Sequence, residues 1–228
     1  MSRITSSDND FHGKYGKFFI DLYNRNKNLL RVSTVIFFVS LFIGVFIGYF
    51  SPNITSYLLT KLIQLIESQV VSITTLSIFI HNVQAGLVAY FGGIIAIGPP
   101  VELFSNGFIY GSFVGYFMHG GILSNYGVSN PVYFIIYTLP HGIFEIPAFI
   151  ISCTAGFRLT SMIIHILISL SKNKPVSENY WEFKDSLTLM VIAIALFFVA
   201  AIIEANFSLT IGNYITGLNL HNAVVQHY

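Results

Sequence analysis

The sequence predicts an all-α membrane protein: a bundle of about five transmembrane helices, N-terminus inside and C-terminus outside, with two amphipathic helices at the membrane surface. Three observations predict it. Charged residues make up 9% of the 228 positions and hydrophobic residues 54%, whereas an average soluble domain carries about 25% charge. Mostly apolar runs of the roughly 20 residues needed to cross a hydrocarbon core recur along the chain. Lys and Arg are placed so that nearly all of them fall on one side of such a bundle.

The first span is Val32–Phe50, stopped at "SPN" by Pro52. Residues 53–75 repeat apolar side chains at helical spacing (Leu58, Leu62, Leu65, Ile66) but are broken by Lys61, Gln64 and Glu67, the pattern of a surface-lying helix. The second span is Leu76–Ile97. A tight turn follows at "GPP", with Gly93, Gly98, Pro99 and Pro100 as its structural residues. Val101–Met118 forms the third span, and a Gly- and Asn-rich loop covers 119–130. The fourth span, Pro131–Cys153, contains Pro140 and Pro147, which predict a kink or two half-helices. Residues 156–173 read as the second interfacial helix, 174–186 as a polar loop holding Trp181, and Leu187–Phe207 as the last span. The implied organisation is a basic cytoplasmic segment (1–31), one transmembrane domain (32–207) and a short outer tail (208–228). With residues 1–31 polar and charged, the first span itself serves as signal anchor.

Charge fixes the orientation. The chain has 11 Lys and Arg. Arg3, Lys14, Lys17, Arg25, Lys27 and Arg31 precede the first span, and Arg158, Lys172, Lys174 and Lys184 lie between the fourth and fifth. Only Lys61 falls outside if the N-terminus is inside. The two glycosylation-type triplets, Asn53–Thr55 and Asn206–Ser208, fall on the predicted outer side. A net charge of +1 argues against nucleic-acid binding. The single Cys153 has no partner for an intramolecular disulfide and reads as a small packing residue.

The five spans hold few polar side chains: His81, Asn82, Gln84, Glu102, Asn106, His141, Glu145 and Glu204, with no Lys or Arg among them. Intramembrane carboxylates without a cation must be protonated, paired with His, bound to metal or reached by water. In "LPHGIFEIPAFI" (139–150), His141 and Glu145 stand one helical turn apart and satisfy each other. Three readings follow. The polar groups are hydrogen-bonding glue between helices. Alternatively, His81, His141, Glu145 and Glu204 supply ligand types for a divalent ion or a proton path, with His141 and Glu145 the metal candidates. Or the kinked helix lines a substrate path. The His-Glu-x-x-His signature, phosphate loops, catalytic Cys/His pairs and nucleophile elbows are absent, so no catalytic residues are assigned. Gly44/Gly48 and Gly111/Gly115 form G-x-x-x-G pairs, which make a homodimer plausible. His12, His119, His165, His221 and His227 are scattered and read as surface or interfacial.

Taken in order, these features resemble the stage II sporulation protein M family of integral membrane proteins. The resemblance rests on Asn82, Gly93, Gly98, Asn106 and Gly107 in residues 81–117; on His141, Gly142, Glu145, Ala148, Gly156 and Arg158 in "LPHGIFEIPAFIISCTAGFRL"; and on Glu204 in "AAIIEANF". It implies a multi-pass protein of the cell membrane; no cofactor is predicted from the residues beyond the divalent ion of the second reading. Its implied role is a scaffold that organises the membrane and recruits other membrane or cell-envelope proteins; in spore formers such proteins act in engulfment. His81, Asn82, Asn106, His141, Glu145 and Glu204 are expected to converge in the bundle core. The rival expectation is a small transporter or channel using the same cluster, and a third is a metal-dependent intramembrane hydrolase.

Overall fold

The computed structural model describes residues 5–68, 74–120 and 131–216. They are helical almost throughout, with no strand among the described residues. The helices are α1 (Thr5–Phe50), α2 (Pro52–Ser68), α3 (Thr75–Gly92), α4 (Gly98–Met118), α5 (Pro131–Ser171), α6 (Tyr180–Ile203) and α7 (Leu209–Thr216). A 3₁₀ turn at Gly93–Ile95 joins α3 to α4, another at Val176–Asn179 precedes α6, and a π turn at Glu204–Ser208 joins α6 to α7.

Four described helical segments are long and apolar enough to cross a membrane: Gly16–Phe50, Thr75–Ile95, Phe134–Ser171 and Tyr180–Thr216. The expected third span, Val101–Met118, is helical within α4 but falls short of that apolarity. Its glycines, serines and Asn106 dilute it, and the structure shows what they do instead. Along α4, Gly107, Gly111 and Gly115 face the α1 backbone, and Gly44 and Gly48 of α1 face α4. A Cβ at Gly111 would strike the Leu41 carbonyl, one at Gly115 that of Val45, and one at Gly44 that of Phe108. Without a hydrophobic driving force inside lipid, helices associate through this kind of close packing. The small-residue faces that suggested a homodimer are therefore used inside one chain.

Several expected boundaries are corrected. Residues 156–173 are not a separate interfacial helix: α5 runs unbroken from Pro131 to Ser171, through Pro140 and Pro147. Each proline removes one i→i−4 bond, but neighbouring helices hold the segment in place, so the two half-helices do not appear. The polar loop expected at 174–186 ends early, because Tyr180 already starts α6. Helix α1 passes through 31 and 32 without a break, so the basic N-terminal segment runs on helically into the first span. Helix also continues past Phe207 into α7. Most of the 119–130 loop, His221 and His227 lie outside the described residues.

The turn between α3 and α4 lies at 93–97, just before the expected "GPP", whose three residues already open α4. Ala96 adopts a left-handed conformation (φ 61°) and its N–H donates to the Gly93 carbonyl at 3.2 Å. A Cβ on Gly92 would lie 2.6 Å from the Gly98 Cα, so only glycine permits this closure. Pro99 sits in the first turn of α4, where its missing N–H costs nothing. The turn docks on α5: Gly93 abuts the Gly156 backbone, and the Thr160 hydroxyl donates to the Gly93 carbonyl.

The bundle has two polar ends and a closely packed middle. At one end, Thr160 meets Gly93 and the start of α6 meets α1 and α5. At the other, the Tyr49 and His119 rings stand 5.7 Å apart, Asn206 donates to Thr75, and Tyr137 donates to Asn213. Between them the interior is filled by Phe37, Leu103, Cys153, Ala148, Phe149, Ala193 and Phe197, all buried. Phe149 and Phe197 meet edge to face at 4.9 Å.

Candidate functional site

At the second of these ends, α5 and the π turn bring three ligand-type side chains together. His141 and Glu145 lie one turn apart on α5, with His141 Nε2 at 3.8 Å from Glu145 Oε2. Glu204 opens the π turn after α6 and joins them: one ligand atom from each residue lies within 4.8 Å of the other two. His141 is buried and the two glutamates are half-buried. Such π turns occur often at functional sites, because the extra residue re-aims the side chains around it.

Ser208 closes the π turn and fixes the histidine. Its hydroxyl donates to the Ile203 carbonyl at 3.3 Å, a group that the widened turn leaves accessible. His141 Nδ1 stands 2.9 Å from the Ser208 oxygen. When the hydroxyl proton goes to Ile203, Nδ1 carries the hydrogen and donates, and a neutral His141 then presents the lone pair of Nε2 to Glu145. Tyr110 of α4 lies in the field of both carboxylates and is hydrogen-bonded with Thr138. Its hydroxyl reaches to 3.6 Å from where a Cβ at Gly142 would stand.

Not all the expected residues converge here. His81 is exposed on α3 and takes no part in the group. Asn106 donates to the carbonyl of Glu102 at 2.9 Å and to its carboxylate at 3.2 Å, an intrahelical pairing within α4 rather than a bond to His141. Asn82 is buried, and its Nδ2 finds no partner among the described residues. Gln84 is exposed. Gly93 lies in the turn at the opposite end, and Gly98, Pro99 and Pro100 open α4 beside it.

The sequence reading missed the second polar centre altogether. Arg158, assigned to an inner loop, is buried in the bundle. Its Nε donates to Asn26 Oδ1 at 2.7 Å, Nη1 to Glu182 Oε1 at 3.1 Å, and Nη2 to the Arg25 carbonyl. Asn26 in turn donates to Asp185 at 2.9 Å, and Arg25 clasps Asp185 with two bonds of 2.8 and 2.7 Å. Glu182 also accepts from Ser161 at 3.1 Å and pairs with His165 at 2.9 Å. His165, read as a scattered surface residue, thus belongs to this centre, and the Trp181 ring covers Arg158 at 5.2 Å. A signal existed: Arg158, Ser161 and His165 share one face of a helix, as do Glu182 and Asp185. Assigning these stretches to an interfacial helix and a loop hid it.

The two centres are separated by the packed middle. From His141 to Arg158 along α5 is about 25 Å, and from Asp185 to Glu204 along α6 about 28 Å, at 1.5 Å per residue. That is close to the roughly 30 Å thickness of a bilayer hydrocarbon core.

Comparison with known proteins agrees with the resemblance. Residues 33–209 match the family described as Stage II sporulation protein M. The chain is similar to two proteins of Methanocaldococcus jannaschii, each described only as uncharacterized. One is 42% identical over 77 residues, covering 34% of this chain and 42% of the relative. The other is 34% identical over 90 residues, covering 40% of each. The matched stretches thus span about two-fifths of each relative's length. No solved structure matches.

Proposed function

The chain belongs to the stage II sporulation protein M family, and from that premise we propose that it is a non-enzymatic, multi-pass scaffold of the cell membrane that holds other membrane or envelope proteins. The observation that carries this reading is the packed middle of the bundle. Phe149, Ala193 and Phe197 close the interior between the two polar centres, each 7% exposed or less. A transporter of this size needs a path past its polar groups, and packed aromatic side chains oppose one. The Arg158 centre ties α1, α5 and α6 into one body, which suits a platform more than a moving gate.

In this reading the polar centres mark the two membrane faces. Arg25, Arg158 and Lys184 lie at the inner face and the His141 group near the outer one, which keeps the Lys and Arg bias inside. α1, α3, α4, α5 and α6 then cross in alternating directions, giving five crossings. α4 crosses despite its modest hydropathy, because α1 shields its polar and glycine face. α2 remains at the outer surface.

The test pairs two measurements on the full chain. In proteoliposomes, proton and divalent-ion fluxes should equal those of empty liposomes. In cells, photo-crosslinkers at lipid-exposed positions such as Phe42 and Val191 should give discrete protein adducts. Flux above background that Glu145→Gln abolishes would replace the scaffold by a transporter.

A further inference from the structure

We propose that His141, Glu145 and Glu204 form a binding site for one divalent transition-metal ion, of the zinc, cobalt or manganese class. This goes beyond the scaffold reading and does not depend on it. The geometry carries the argument. Around an ion with bonds of about 2.0–2.2 Å in tetrahedral coordination, ligand atoms lie about 3.3–3.6 Å apart. The Nε2–Oε2 separation is 3.8 Å. A hydrogen bond spans about 2.7–3.2 Å, so this pair is too far apart to share a proton directly. The widest spread, 4.8 Å, closes with small rotations of the carboxylates.

A second observation points the same way. His141 Nδ1 is tied to Ser208, which leaves Nε2 facing the carboxylates without a hydrogen bond of its own, on a side chain only 10% exposed. Metal-bound histidines are held in this way, with the second nitrogen fixed by an outer partner that sets tautomer and ring orientation. Charge completes the case. Among the described residues no Lys or Arg pairs with Glu145 or Glu204. Two carboxylates, a neutral imidazole and a dication sum to zero, as a weakly solvated site requires. The imidazole selects against calcium and magnesium, which take all-oxygen shells.

The experiment is a cobalt(II) titration of the untagged full chain in nanodiscs after chelator treatment, read by visible absorption and by metal bound per chain. One equivalent with a ligand-field band is expected, and zinc should displace it. His141→Gln, Glu145→Gln and Glu204→Gln should each abolish the band. Ser208→Ala, which loosens only the positioning of His141, should weaken binding about tenfold to a hundredfold. His81→Ala should bind like the parent. Helical circular dichroism and elution volume confirm that each variant is folded. The parent failing to take up one equivalent overturns the site whether or not the variants fold. So does uptake that survives both glutamate substitutions in folded protein. Neither failure touches the scaffold reading, whose readouts are flux and crosslinks.

Discussion

Arg158 illustrates how much a single side chain can hold in place. Its guanidinium donates in three directions, to Asn26 on α1, to the α1 backbone at Arg25 and to Glu182 on α6. Glu182 is 1% exposed, so removing its cation strands a buried charge. Arg158→Ala should therefore cost about 3–5 kcal/mol, measured by unfolding in mixed micelles followed by helical circular dichroism. Arg158→Lys should remain about 2 kcal/mol or more below the parent, since a compact ammonium cannot span three separated acceptors. Full stability in the lysine variant would mean that net charge rather than the fork geometry matters. At this scale the sequence was half legible. His141, Glu145 and Glu204 stood out as lone ionisable residues in apolar runs, where any such group needs an explanation. Ser208 did not, because its role depends on a π turn that no local pattern announces. Asn26, Glu182 and Asp185 were invisible for another reason: polar residues near basic ones look like solvent-facing surface until three helices close around them.

At the scale of elements, α1 and α4 show why hydropathy undercounts. Gly44 and Gly48 on one helix and Gly107, Gly111 and Gly115 on the other bring the two backbones together. The residues that make α4 pack well are the ones that make it less apolar. Gly111→Ala should push α1 and α4 apart, because the new methyl meets the Leu41 carbonyl, which cannot swing aside as a side-chain end can. About 1–3 kcal/mol of stability should be lost in the same unfolding assay. Gly142→Ala is the contrasting case. Its nearest neighbour, the Tyr110 hydroxyl, is 3.6 Å away, an ordinary contact, so the methyl should cost nothing and the helix should gain about 0.5–1 kcal/mol. Equal losses at both glycines would show that helix separation is not the cause. The hairpin turn was readable from sequence because its glycines and prolines have strong local preferences. The 41-residue length of α5 was not. Pro140, Pro147 and Gly156 all signal interruption locally, and packing against α3, α4 and α6 overrides them.

For the whole molecule, the outstanding quantity is the number of crossings, and parity makes it measurable. If α4 crosses, the chain passes the membrane five times and its two ends lie on opposite sides. If α4 instead stays on one face, the four apolar segments alone cross, and both ends share a side. The alternating contacts favour five. α3 leaves Thr75 beside Asn206 and arrives with Gly93 against Thr160, and α4 returns to place His119 beside Tyr49. Cys153 is the only cysteine and is fully buried, so a Cys153→Ala background gives a clean chain for labelling. Gly16→Cys and Tyr214→Cys are suited as reporters: a Cβ at Gly16 meets nothing within 4 Å, and Tyr214 is 89% exposed. With a membrane-impermeant maleimide on intact cells, Tyr214→Cys should react and Gly16→Cys only after the membrane is opened. His119→Cys should behave like the first and Lys174→Cys like the second. Reaction of both end reporters under the same condition would reduce the count to four. The two polar centres would keep their roughly 25–30 Å spacing, because α5 and α6 cross in either case, so the count decides the path of α4 alone.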